Sequence, residues 1–82
     1  MNITPQLTKA EYAGEYCIKV TFENGIESVI DLENELWGEV FEPLKDLNAF
    51  KNFVLDNELQ TIVWPSTGAD LAPEFLYAKA AA

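Results

Sequence analysis

Apolar and polar positions alternate most cleanly between Tyr16 and Phe22. Tyr16, Ile18, Val20 and Phe22 share one side of an extended chain, and Cys17, Lys19 and Thr21 share the other. A period of two predicts a strand with one inward face. Asn24-Gly25 comes directly after. Asn-Gly accepts positive φ at both central positions of a tight turn, so a hairpin is expected there. The returning strand is predicted from Ile26 to Leu32, with Ile26, Ile30 and Leu32 inward. A weaker run from Leu7 to Tyr12, turned at Ala13-Gly14-Glu15, completes an antiparallel meander.

After Leu32 the pattern changes. From Glu33 to Leu44, acids interleave with Leu36, Trp37, Val40 and Phe41, which reads as a helical turn plus a loop. Asp46 is a good helix N-cap, and Leu47, Phe50 and Val54 recur at helical spacing, so a short helix is predicted over 47–53. Asp56-Asn57-Glu58 makes a turn, and Leu59 to Trp64 is apolar enough for a strand buried on both faces. Pro65 cannot donate to a ladder and ends it. Ser66-Thr67-Gly68 turns the chain, Gly68 supplying an unusual backbone angle and Asp70 expected to accept nearby backbone N–H groups. Pro73 stands at a first helical position with Glu74 in the first turn, so Phe75, Leu76 and Tyr77 lie on a C-terminal helix. The expected fold is α+β in one small domain over 1–82. It has an antiparallel sheet of about four strands, the N-terminal meander plus a later strand, and two short helices.

Composition narrows what such a fold does. The chain has 82 residues, is 49% hydrophobic and carries a net charge of -9. That is too apolar for a disordered segment. Its basic residues are five lysines, with no arginine. Direct nucleic-acid binding needs cations to neutralise phosphates, so no direct nucleic-acid role is expected. An anionic membrane surface is disfavoured for the same reason, and no apolar run approaches a membrane span. Met1-Asn2-Ile3-Thr4-Pro5 lacks a basic region leading into an apolar run, and the lone Cys17 forms no redox motif; a cytoplasmic setting is expected.

Several motifs along the chain resemble the bacterial family called domain of unknown function 2442. They are Phe22-Glu23-Asn24-Gly25, Ile30-Asp31-Leu32, Phe41-Glu42-Pro43-Leu44, Phe50, Trp64-Pro65, Gly68-Ala69-Asp70-Leu71-Ala72-Pro73-Glu74 and Leu76-Tyr77. The resemblance covers nearly the whole chain, and the tail carries most of its specificity. One departure is visible: the family commonly has one polar residue between Trp-Pro and Gly, and this chain has Ser66 and Thr67. The resemblance implies a small α+β fold and a bacterial source, and no established chemistry. Some relatives look fused to a helix-turn-helix segment and others look encoded beside a small partner protein. The implied role is regulatory or antitoxin-like.

Catalytic chemistry finds little footing. There is no histidine, which removes the usual neutral-pH base and any Ser-His-Asp or Cys-His arrangement. Cys17, in a strand between Tyr16 and Ile18, reads as a packed side chain. Asp31, Glu33, Glu35, Glu39 and Glu42 match positions one, three, five, nine and twelve of a calcium loop, but Leu36 stands where that loop needs glycine. No metal or cofactor is expected, and no enzyme.

Binding remains. Trp37, Phe41, Trp64, Phe75 and Tyr77 are the aromatic candidates, and Trp37 lies in an acid-rich loop with Glu33, Glu35, Glu39 and Glu42. A hydrophobic anchor in an acidic rim suits a basic protein partner. Trp37, Phe41, Trp64 and Asp70 are the candidate binding residues of a protein-interaction module. The alternatives are a small-molecule or carboxylate-based enzymatic domain and a structural homodimer. The stretch from Thr61 to Tyr77 reads chiefly as a fold-closing motif, with a recognition surface as the rival.

Overall fold

The computed structural model describes residues 4–82; the first three residues of the stretch read for a signal lie outside them. The first sheet is a meander of β1 (Leu7–Tyr12), β2 (Cys17–Phe22) and β3 (Glu27–Asp31), antiparallel throughout. Ile18, Val20 and Phe22 are buried as the alternation requires. β1 reads weakly because its ladder shifts between Leu7 and Lys9. The shift changes parity, so Leu7 is buried and Ala10, three residues on, packs against the same core.

The hairpin is where expected, with a different loop. Phe22 N–H donates to the Ile26 carbonyl at 2.8 Å and closes three residues, Glu23, Asn24 and Gly25. Only Gly25 takes a positive φ, at 92°. Asn24 instead accepts the Ile26 N–H at 3.2 Å and donates to the Tyr77 hydroxyl at 3.0 Å. Its side chain therefore tethers the hairpin to the C-terminal helix.

The second sheet corrects the expected strand count. β4 (Val54–Asp56), β5 (Thr61–Trp64) and β6 (Ala69–Asp70) form an antiparallel set in that order, giving six strands in two sheets among the described residues. Val54 opens β4 rather than continuing a helix. α1 spans only Leu47–Phe50, capped as expected by Asp46, whose carboxylate accepts the Asn48 N–H at 3.0 Å. Asp56 holds the β4–β5 turn by accepting the N–H groups of Glu58 and Leu59 at 2.8 and 3.0 Å. The strand expected from Leu59 begins at Thr61. Between β3 and α1 the chain makes two 3-10 turns, Glu33–Glu35 and Glu42–Lys45.

One core joins these pieces: Ile18, Phe22, Leu32, Leu44, Ile62 and Leu76 are among the residues it buries. Trp64 is its centre. The indole is 0% exposed, with the rings of Phe50, Phe53 and Phe41 at 5.8, 6.2 and 6.5 Å. Its Nε1–H donates to the Phe50 carbonyl at 2.7 Å, so this buried polar atom is paired. α2 (Pro73–Ala81) begins at Pro73, whose missing N–H costs nothing in the first turn, and seals the core with Leu76.

Candidate functional site

A tight turn after β5 sets the course of the chain into β6. Thr67 and Gly68 N–H groups both donate to the Trp64 carbonyl, at 3.1 and 2.9 Å. Gly68 has φ 77°. The Thr67 hydroxyl accepts the Ala69 N–H at 3.3 Å. Thr67 thus does the work expected of Asp70; among the described residues no donor reaches the Asp70 carboxylate, which is exposed. Ala69 points into the core, and strand alternation turns Asp70 to solvent. Behind them the Thr61 hydroxyl donates to the Leu71 carbonyl and holds the segment in place.

Asp70, Leu71 and Ala72, together with Phe75 of α2 and Glu35, Trp37 and Phe41, line a surface groove of about 380 Å³. Three of the four residues singled out in the sequence therefore meet: Trp37, Phe41 and Asp70. The fourth does not reach the surface. Trp64 lies in the core and meets the Phe41 of the site, ring edge to face at 82°. Trp37 is 71% exposed, in the short segment between the two 3-10 turns. Leu36 beside it is buried, so the loop is anchored by one residue and presents the next.

Charge is distributed with the same economy. Among the described residues the groove is lined by two carboxylates, Glu35 and Asp70, and by no cation. Lys79 of α2 approaches from beside it: its Nζ is 3.4 Å from Glu35 Oε1 and 5.5 Å from the centre of the Phe75 ring. An ammonium is thus already held between a carboxylate and an aromatic face at the margin. The pair is partly exposed and adds little stability.

Cys17 lies apart from the groove, half-buried on β2. Burial, then the carboxylates of Asp31, Glu15 and Glu33, push its thiol up and disfavour the thiolate. Among the described residues no group of three or more His, Cys, Asp or Glu side chains is placed to hold a metal ion. No helix among them is long and apolar enough to cross a membrane.

Leu71 and Ala72 were not legible as site residues, and Glu35 only as part of an acid-rich run. Their role comes from the fold, which brings the segments 35–41 and 70–75 together.

These features define a small α+β protein with an aromatic, acid-lined groove beside an edge strand. The model of the family described as protein of unknown function, DUF2442, matches residues 7–82. The chain belongs to that family. No curated protein and no solved structure matches it.

Proposed function

We propose that the protein is a non-catalytic interaction module whose groove receives a basic protein partner. The observation that carries this reading is the exposed Trp37, which with Phe41, Leu71 and Phe75 lines a groove whose ionised lining residues, among those described, are acids. Tryptophan is the residue type most often found to anchor an interface. Covering most of its roughly 200 Å² of surface, at about 25 cal/mol per Å², contributes about 3 kcal/mol to binding. The net charge of -9 steers basic partners toward the protein and repels acidic ones. A regulatory or antitoxin-like role fits a module that acts by occupying such a partner. The non-catalytic reading is supported by the missing histidine and by a thiol held in its unreactive form.

The test is parallel capture from an extract of the source cells on immobilised wild-type and Trp37→Ala protein, eluted with a salt gradient. The expected result is a basic protein retained by the wild type, released at moderate salt and absent from the variant column. Identical or empty eluates from both columns would sink the reading.

A further inference from the structure

The wall of the groove formed by 70–72 is also the outer edge of a sheet. β6 ends the order β4-β5-β6, so among the described residues only one of its sides is paired. Leu71 N–H donates inward to the Ile62 carbonyl at 3.3 Å, and Asp70 stands opposite Val63. Backbone groups alternate in direction along an antiparallel strand. The N–H and C=O of Asp70 therefore point away from β5. Ala72, two residues on, shares that direction. Its N–H has no backbone acceptor among the described residues, while its carbonyl is taken by Phe75 and Leu76 N–H at 3.1 and 3.2 Å. A short edge of peptide groups unpaired among the described residues thus borders the aromatic groove.

We infer that the groove binds its partner by strand addition: an extended basic segment pairs with the outer edge of β6. The inference rests on the interaction-module reading and specifies its geometry. Backbone pairing through the Asp70 N–H and C=O and the Ala72 N–H sets the register. Alternate side chains of the added segment then fall on opposite sides, one set against Trp37, Phe41 and Phe75. Its lysines or arginines meet Asp70 and Glu35, the latter already beside an ammonium in its pair with Lys79. Charge selects this occupant over a second copy of the chain, which would bring nine further negative charges to an acidic rim.

Ala72 allows a clean test. Its φ of −67° is the angle a proline ring imposes. Ala72→Pro removes an N–H that has no acceptor among the described residues and sets ring atoms where an added strand must lie. Both carboxylates and every aromatic ring stay. The experiment pans a random twelve-residue peptide library on the immobilised full chain. The best peptide is then synthesised and titrated by calorimetry into the wild type, Ala72→Pro, Asp70→Asn and Trp37→Ala, with melting temperatures measured for each.

The expected selection is peptides of net positive charge that alternate lysine or arginine with apolar residues. Ala72→Pro is expected to weaken the best peptide by about 10-fold or more at an unchanged melting temperature, the scale of one lost backbone bond plus obstruction. The Asp70 amide is expected to exchange more slowly with solvent when the peptide is bound. If Ala72→Pro folds and binds as the wild type while Trp37→Ala does not, strand addition is overturned and the groove reading stands. If Ala72→Pro melts low, exchange at Asp70 in the wild-type complex decides alone: an unprotected amide overturns the inference. An empty selection, or one of acidic or neutral peptides, removes the groove reading and this inference with it. A dimer in light scattering that Ala72→Pro abolishes would put a second copy on the edge and overturn the basic partner.

Discussion

Replacing Trp64 with phenylalanine tests whether the indole is the keystone of the core or a reserve of the site. The side chain is fully buried among three phenyl rings, and its one polar atom is bonded to the Phe50 carbonyl at 2.7 Å. Trp64→Phe keeps an aromatic ring in place and removes the rest of the indole. A void of roughly 40 Å³, at about 24 cal/mol per Å³, costs about 1 kcal/mol. The Phe50 carbonyl loses its indole donor, and an unpaired buried acceptor costs about 1–3 kcal/mol more. The sum is about 2–4 kcal/mol, a large share of the roughly 4–12 kcal/mol expected for a domain of this length. At about 4–8 °C per kcal/mol, the melting temperature falls by at least about 8 °C. Thermal melts followed by far-UV circular dichroism measure this. Trp37→Phe is the control, because an exposed side chain changes stability by only about 0.5 kcal/mol or less. The emission spectra must separate too: Trp64 alone emits to the blue and resists iodide, while Trp37 alone emits to the red and is quenched. A Trp64→Phe protein melting within about 3 °C of the wild type would refute the placement of the indole and the packing built on it.

The other predictions are briefer. Asp70→Asn leaves the melting temperature within the error of a surface change, about 0.5 kcal/mol, because no described donor uses its carboxylate; a destabilisation well beyond that would restore the capping role to Asp70. Thr61→Val removes the hydroxyl that holds the Leu71 carbonyl, so it lowers stability by about 1 kcal/mol in urea unfolding, and an unchanged midpoint would count against that bond. Cys17 reacts slowly with a disulfide reagent at neutral pH in the folded protein and at the ordinary thiol rate once unfolded. Because its folded pKa is raised, the folded state holds the proton more tightly. The resulting stability is complete below the unfolded thiol's pKa and is lost as pH rises through the folded one. Cys17→Ala should flatten that alkaline decline, and an identical decline in both proteins would remove its assigned cause. Gly25→Ala forces a Cβ onto a φ of 92° and is expected to cost about 1 kcal/mol or more by thermal melt.

The strands that sequence reveals here are those long enough to show a period. β2 and β3 present five or six residues with alternate burial, and their register comes from the turn between them. β4 and β6 have three and two residues, too short for any period. Val54 misleads for a related reason. It lies four positions after Phe50, which is helical spacing, but the helix closes at Lys51 and Val54 begins a strand. Local chemistry was legible where a side chain bonds to its own neighbours, as at Asp46. It failed where two residues compete for one task. Thr67 and Asp70 both flank the turn, and only the backbone course decides that the threonine hydroxyl meets the Ala69 N–H. The groove was half-visible: Trp37 announces itself by standing among acids, but the other segment of the lining is over thirty positions later and is found only by folding the chain.

The segment from Thr61 to Tyr77 closes the fold and, in the proposed reading, also offers the recognition surface, and its geometry keeps the two apart. Ile62, Trp64, Ala69 and Leu76 are buried and belong to the core. Asp70 and Ala72 are exposed, and Leu71 and Phe75 half-covered, along the groove. A strand has two faces and two edges, and here one face is spent on the core while one edge is left free. Exposed strand edges usually invite unwanted pairing, and proteins keep them short or charged. β6 is both: two residues long, with a carboxylate at its end. In the proposed reading such an edge resists pairing with copies of itself while remaining open to a segment of opposite charge. On the proposed reading, the same acidic residue that would discourage self-assembly also selects the partner, so loss of charge at Asp70 should do two things together. Asp70→Asn should weaken a basic peptide and raise the tendency to self-associate at high concentration. Sedimentation velocity run beside the titration checks the pairing of effects. A variant that loses the peptide and stays monomeric throughout would mean that the charge at this edge selects but does not protect.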